Sequence, residues 1–224
     1  MGYYIDLKNI SIDRYRDILK KADLLPGRMA LKENIDNNFY IIKSQKISHV
    51  GELQQALKNK KKLQDFAKQS GLPGAYLTLL IREVNSIHPK PNNIKDFPDT
   101  QDKVLSALEK KGIKNTLQLY DYIQTSLARH ELANSSGIEE KEILRLTKLT
   151  DLSRIRWVNH TFAYVLLEAG YDAAEKVARA GYEVLYEAVK QLNEERNIFK
   201  GRIGLHDMKL CVEAAQNVPL EIQY

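Results

Sequence analysis

Apolar residues recur along this chain at steps of three and four. Val104, Leu105 and Leu108 share one helical face, Phe162, Val165, Leu166 and Ala169 share another, and Tyr182, Leu185, Val189 and Leu192 form the clearest stripe. That period belongs to an α-helix with one side turned to a core. The helix ends are as legible. Gly112 follows ALEKK and Gly170 follows LLEA, and glycine just past a helix takes the left-handed backbone that closes it. Only IDLKNISID near the start reads, weakly, as a strand. The spacing predicts a longer helix over about Gly181 to Glu195, a loop through Gly201 and Gly204, and a last helix over HDMKLCVEAAQ, closed by Pro219. The expected fold class is all-α.

The glycines also expose a repeat. FPDTQDKVLSALEKKGIKNTLQL (Phe97 to Leu119) lies over IRWVNHTFAYVLLEAGYDAAEKV (Ile155 to Val177) at a constant shift of 58, pairing Leu108 with Leu166, Gly112 with Gly170 and Leu119 with Val177. Upstream, FAKQSGL (Phe66 to Leu72) matches LANSSGI (Leu132 to Ile138) at a shift of 66. A fainter copy, NNFYIIKSQKISHVGEL (Asn37 to Leu53), falls over KVLSALEKKGIKNTLQL at the same shift of 66, with Lys46 where the other copies have glycine. Each copy reads as helix, short turn, helix, and a small-residue stop. Units of that size cannot bury their apolar faces alone, so they are expected to stack into one helical array. The division expected is a degenerate N-terminal unit over 1–65, a second unit over 66–131, and the best-matched unit over 132–224.

Composition narrows the class. With 43% hydrophobic and 28% charged residues the chain is ordinary globular stock, neither disordered nor membrane-spanning. Its longest uncharged apolar run, Phe162 to Leu167, is far too short for a span. MGYYIDLKN is not expected to be a signal peptide, and Asp6 stands where a myristoylation motif wants Ser or Thr. One cysteine, Cys211, allows no internal disulfide and no cysteine-based zinc cluster. A cytoplasmic protein is expected. The net charge of +5 is uneven: residues 1–66 hold 13 basic and 8 acidic residues, whereas 133–224 hold 12 and 14.

These residues resemble the helix-hairpin-helix superfamily, whose signature is a helix, a Gly-hydrophobic-Gly hairpin and a second helix. The span from SGIEEKEILRLTKLTDLSRIRWVNHTFAYVLLEAGYDAAEKVA to VEAAQNVP is closer still to an uncharacterised bacterial domain-of-unknown-function family of tandem helix-hairpin-helix-like units. The likeness is good over 136–219, fair over 66–123 and weak before that. It implies tandem helix-hairpin-helix-like (SAM-like) repeats, and binding to a DNA phosphate through hairpin N–H groups that glycine leaves approachable, a contact that carries no sequence information. Here the hairpin glycines are missing. Phe97-Pro98-Asp99-Thr100 loses a donor to proline and gains a repelling carboxylate, and Trp157-Val158-Asn159-His160 also lacks glycine. Asp99, Thr100 and Asn159 are expected to cap the helices that follow.

Two basic clusters are candidates for a DNA or RNA backbone. The first is KNKKK: Lys58, Lys60, Lys61 and Lys62, with Lys20, Lys21, Lys43 and Lys46 as further cations. Its bland alternative is a solvated helix C-terminus, which lysine favours. The second is Arg154 and Arg156 with His160, flanking the last hairpin, although Asp151 is placed to pair with either arginine. Trp157, the lone tryptophan, can stack on a base or lie half-buried beside Ile155 and Val158. Tyr76, Tyr120, Tyr164 and Tyr186 have core spacing. No catalytic residue, metal ligand set or cofactor motif is expected. His49, His88, His130, His160 and His206 are scattered, Glu139, Glu140 and Glu142 read as helix-dipole complements, and Cys211 lies in an apolar helix. The expected function is therefore non-enzymatic nucleic-acid binding without sequence specificity. A protein-interaction adaptor or self-associating scaffold is the alternative.

Overall fold

A computed structural model describes residues 2–224, and among them the chain is all-α. The helices fall into two compact units. One is Ile5–His88; the other is Pro89–Tyr224, joined by the N-terminal residues through Tyr4. Each has its own apolar core. The segment 66–131 is divided between them, with Phe66 to Val84 in the first core and Ile94 to Ile123 in the second.

The smaller unit contains α1 (Ile12–Lys21), α2 (Ile35–Ser44), α3 (Val50–Ala56), α4 (Lys60–Ser70) and α5 (Gly74–Asn85). Leu19, Phe39, Ile42, Leu53, Leu77 and Leu80 fill its centre. IDLKNISID is not a strand. Asp6 accepts from Lys8 N at 2.9 Å and starts a 3₁₀ turn over Leu7–Asn9, and Ser11 Oγ then caps α1 at Arg14 N. Short polar side chains that bond to their own backbone draw the chain into turns. All that remains of the strand is one antiparallel bridge, Ser11 to His49, with Ile12 N donating to Ser48 O and Val50 N to Ile10 O.

The larger unit contains α6 (Asp102–Lys110), α7 (Thr116–Tyr120), α8 (Ser126–Ser136), α9 (Glu140–Leu152), α10 (His160–Glu168), α11 (Ala174–Ala178), α12 (Tyr182–Arg196) and α13 (Leu205–Ala215). α9 packs on α7, α8 and α10, and buries Ile143, Leu146, Leu149 and Leu152 completely. α13 lies against α11 and α12. The stripe on α12 faces inward as its spacing predicts, with Leu185 and Val189 fully buried and Tyr182 and Leu192 at its margin.

Element lengths recur at the shifts read from the residues. α6 and α10 are both nine residues long and begin 58 apart; α7 and α11 are both five, at the same offset. α4 and α8 are both eleven, 66 apart. Gly112 and Gly170 are left-handed, at φ 77° and 88°. Lys46, which the alignment marks as degenerate, has φ 63° and closes its helix with the same backbone. The bridge recurs too: Asn93 pairs with Asn115, Ile94 N donates to Lys114 O, and Thr116 N to Asn92 O. At α11 a side chain replaces it, Asp151 Oδ2 accepting from Ala174 N at 2.9 Å.

Candidate nucleic-acid interface

The lysine run sits at the opposite end of a helix from the one its chemistry suggests. Asn59 caps α4, its Oδ1 accepting from Lys62 N at 3.0 Å, so Lys60, Lys61 and Lys62 form the first turn. There the helix dipole is positive and adds to the lysine charges instead of offsetting them. The signal for this was present: an asparagine directly before a run that continues into Leu63 and Phe66 marks a helix start. Lys58, Lys60, Lys61 and Lys62 are all exposed. Lys62 Nζ makes a long 3.4 Å contact with Gln55 O, and among the described residues none of the four forms an ion pair. Other cations of this unit do. Arg16 meets Asp13, Asp17 and Asp36, Lys20 meets Asp36 at 2.5 Å, Lys43 meets Asp13 at 2.5 Å, and Arg28 meets Glu83. Lys20 and Lys43 are thus paired in place, whereas Lys21 and Lys46, like the four lysines at the start of α4, are in no ion pair among the described residues.

The second cluster divides. Arg154 is a core residue with a fully buried side chain. Its Nη1 donates to Asp151 Oδ1 at 3.0 Å, Nη2 to Pro219 O at 2.8 Å and Nε to Tyr3 O at 3.2 Å, while its guanidinium lies 4.8 Å from the centre of the Tyr120 ring. It cannot reach an external phosphate. Asp151 also accepts from Ala174 N and from the Tyr224 hydroxyl at 3.0 Å. Arg129 donates to the carbonyls of Ile123 and Gln223. These buried side chains fasten both ends of the chain to the larger unit. Nothing local to Arg154 announces this, because two of its partners lie 65 and 151 residues away.

Arg156 and His160 are partly exposed. Arg156 lies over the Trp157 ring at 4.0 Å, and His160 is the first residue of α10. Trp157 is half-buried, but its ring projects from the hairpin instead of joining the core. Ile155 and Val158 are buried, yet Trp157 is 45% exposed and left-handed, at φ 70°. The offset of 58 carries the clue, since it pairs Trp157 with Asp99, a polar residue, which is also left-handed at φ 59°. Asp99 Oδ2 accepts from the Tyr164 hydroxyl at 2.5 Å, and Arg145 clamps the same hairpin through Pro98 O and Thr100 Oγ1.

Capping of the two hairpins differs from expectation in one case. Asn159 caps α10 at Phe162 N as predicted. Asp99 and Thr100 do not cap α6. The N-cap there is Gln101, with no side-chain bond, because the two polar side chains are held by Tyr164 and Arg145.

The remaining chemistry is committed to the fold. A cleft of about 540 Å³ in the smaller unit is lined by Lys8, His49, Glu52 and His88 among others. There His49 Nδ1 caps α3 at Glu52 N, His88 Nε2 lies 2.7 Å from Ile5 O, and bonds from Ser48 hold the Glu52 carboxyl below its usual range. Among the described residues no cluster of His, Cys, Asp and Glu could hold a metal ion, and no helix is long and apolar enough to cross a membrane. Cys211 is buried, which pushes its thiol up to about 12.

No curated protein and no solved structure matches this chain. A family model does: DUF4332, a domain of unknown function, over residues 98–218. The matched span runs from the Asp99 hairpin through α13 and takes in most of the larger unit. It covers more than half of the 224 residues, and the chain belongs to the DUF4332 family.

Proposed function

We propose that this protein binds nucleic acid through the phosphate backbone, without reading sequence, and that Lys58, Lys60, Lys61 and Lys62 supply the principal contacts. One observation carries the reading. Four exposed lysines, without a carboxylate partner among the described residues, crowd the positive end of a helix, an arrangement that costs stability in the free protein and that a polyanion relieves. Arg156 and His160 remain as secondary candidates in the larger unit. In this reading the elements recurring at 58 and 66 are copies of one helix-hairpin-helix-like unit whose glycine hairpins have been replaced, so binding is by charge and not by the superfamily's hairpin amides. The chain is then a binder, not an enzyme, and a single cysteine accords with the cytoplasm.

The test is an anisotropy titration of duplex DNA, single-stranded DNA and RNA at rising salt. Each phosphate contact contributes about 0.9 to the log–log salt slope on duplex. Replacing all four lysines by serine is expected to flatten the slope by about 3 to 4 and to weaken all three ligands alike. No binding of any of them at low salt overturns the proposal.

The adaptor reading rests on a different feature, the exposed Leu117, Tyr122 and Leu127 on and between α7 and α8. A pull-down alongside light scattering tests it, and a monomer that captures no partner counts against it.

A further inference from the structure

We infer that Trp157 is a stacking platform for an unpaired nucleobase, so that the larger unit engages single-stranded nucleic acid. This rests on the nucleic-acid reading above but concerns a different residue in the other unit. The hairpin between α9 and α10 is anchored by Ile155 and Val158, both buried, while the largest side chain of the turn stands 45% exposed between them. A bulky residue at φ 70° is held against its own steric preference. The fold does not require a ring there, because the matching turn uses Asp99 and ties it inward to Tyr164. The Arg156 guanidinium lies 4.0 Å from the indole centre and backs the ring. The first turn of α10 adds His160 and contains no acidic residue, whereas α6 begins with Asp102. An exposed aromatic ring backed by a guanidinium suits a flat base. A duplex keeps its bases stacked inside and cannot offer one.

Trp157 is the only tryptophan, so its emission reports on this site alone in the full chain. The probes are a single-stranded oligothymidylate, an abasic deoxyribose-phosphate chain of equal length, and a duplex, each also followed by the anisotropy of an end label. The expected result is quenching by oligothymidylate, with the abasic chain and the duplex binding without quenching. Trp157→Gly removes the ring and takes the positive φ without strain. It is expected to lower oligothymidylate affinity roughly tenfold and leave duplex affinity unchanged, while Trp157→Phe, which keeps a stacking face, retains most of it. Oligothymidylate bound without quenching, or bound equally well by Trp157→Gly, overturns this inference and leaves the lysine reading standing. An absence of anisotropy change with all three probes overturns both. A blue shift that grows with protein concentration alone assigns the ring to a contact between copies of the chain, and overturns the inference as well.

Discussion

α4 and α8 share their length and the way both ends are closed. Each has eleven residues, an N-cap side chain that accepts from the third residue (Asn59 from Lys62 N, Thr125 from Ala128 N), and a left-handed glycine at its end, Gly71 at φ 72° and Gly137 at φ 69°. Even the closing bonds coincide. Ser70 Oγ donates to Phe66 O and accepts from Leu72 N, and Ser136 Oγ donates to Leu132 O and accepts from Ile138 N. Phe66 and Leu132 are buried at matching places. The first turn differs, with Lys60, Lys61 and Lys62 in one and Ser126, Leu127 and Ala128 in the other, Leu127 being 66% exposed; so does the next position, Leu63 in α4 and the buried Arg129 in α8. The scaffold therefore sets no requirement on that turn, and its lysines are a feature of the surface.

The copies differ more deeply at the helix that follows the left-handed stop, and α11 stands apart from α3 in the smaller unit and α7 in the larger. α3 and α7 are held by main-chain bonds, Val50 N to Ile10 O and Thr116 N to Asn92 O, whereas the first N–H of α11 depends on the Asp151 carboxylate. That carboxylate also pairs with the buried Arg154. Removing one member of a buried pair strands the other, so Asp151→Ala or Arg154→Ala is expected to destabilise the protein by about 3–5 kcal/mol. Chemical denaturation of each variant measures it. A loss below about 1 kcal/mol removes the claim that this pair organises the larger unit.

How much of this was legible in the residues follows from the range of each interaction. Gly112, Gly170 and the stripe of Leu185 and Val189 depend on neighbours within a turn or two, and their roles are plain from spacing. The offset of 58 locates α10 and α11 to the residue once α6 and α7 are known. Arg154 and Arg156 look like one cluster because they are two apart, but residues two apart on a turn do not face the same way. One is drawn inward by carbonyls at Tyr3 and Pro219 that no local pattern connects to it. Lys46 appears degenerate by residue type, yet the turn adopts the same left-handed backbone without glycine. Backbone geometry is more persistent here than the residue that favours it.

That persistence gives a pair of matched substitutions. A Cβ at Gly71 or Gly137 meets nothing within 4 Å, so alanine there is penalised by its backbone alone. Gly71→Ala and Gly137→Ala are each expected to cost about 1–2 kcal/mol, and to cost the same. Lys46→Gly runs the other way. It relieves a left-handed lysine and should stabilise the smaller unit by about 0.5–1 kcal/mol. Thermal melts of the three variants check both directions, and a destabilised Lys46→Gly shows that the lysine side chain holds that turn.

The smallest expected effect is the most informative about α4. Transplanting Ser-Leu-Ala from α8 onto positions 60 to 62 removes three cations from the positive end of a helix dipole. It should raise stability by a few tenths of a kcal/mol per lysine at low salt. The gain should vanish at molar salt, where the Debye length falls to about 3 Å. Placing Lys-Lys-Lys at 126 to 128 should produce a loss of the same size with the same salt dependence. Paired melts at the two salt concentrations separate this electrostatic effect from a change in packing, which salt screening does not abolish. If the transplant instead destabilises α4 at both salts, the lysines serve the fold, and their lack of carboxylate partners ceases to argue for a bound polyanion.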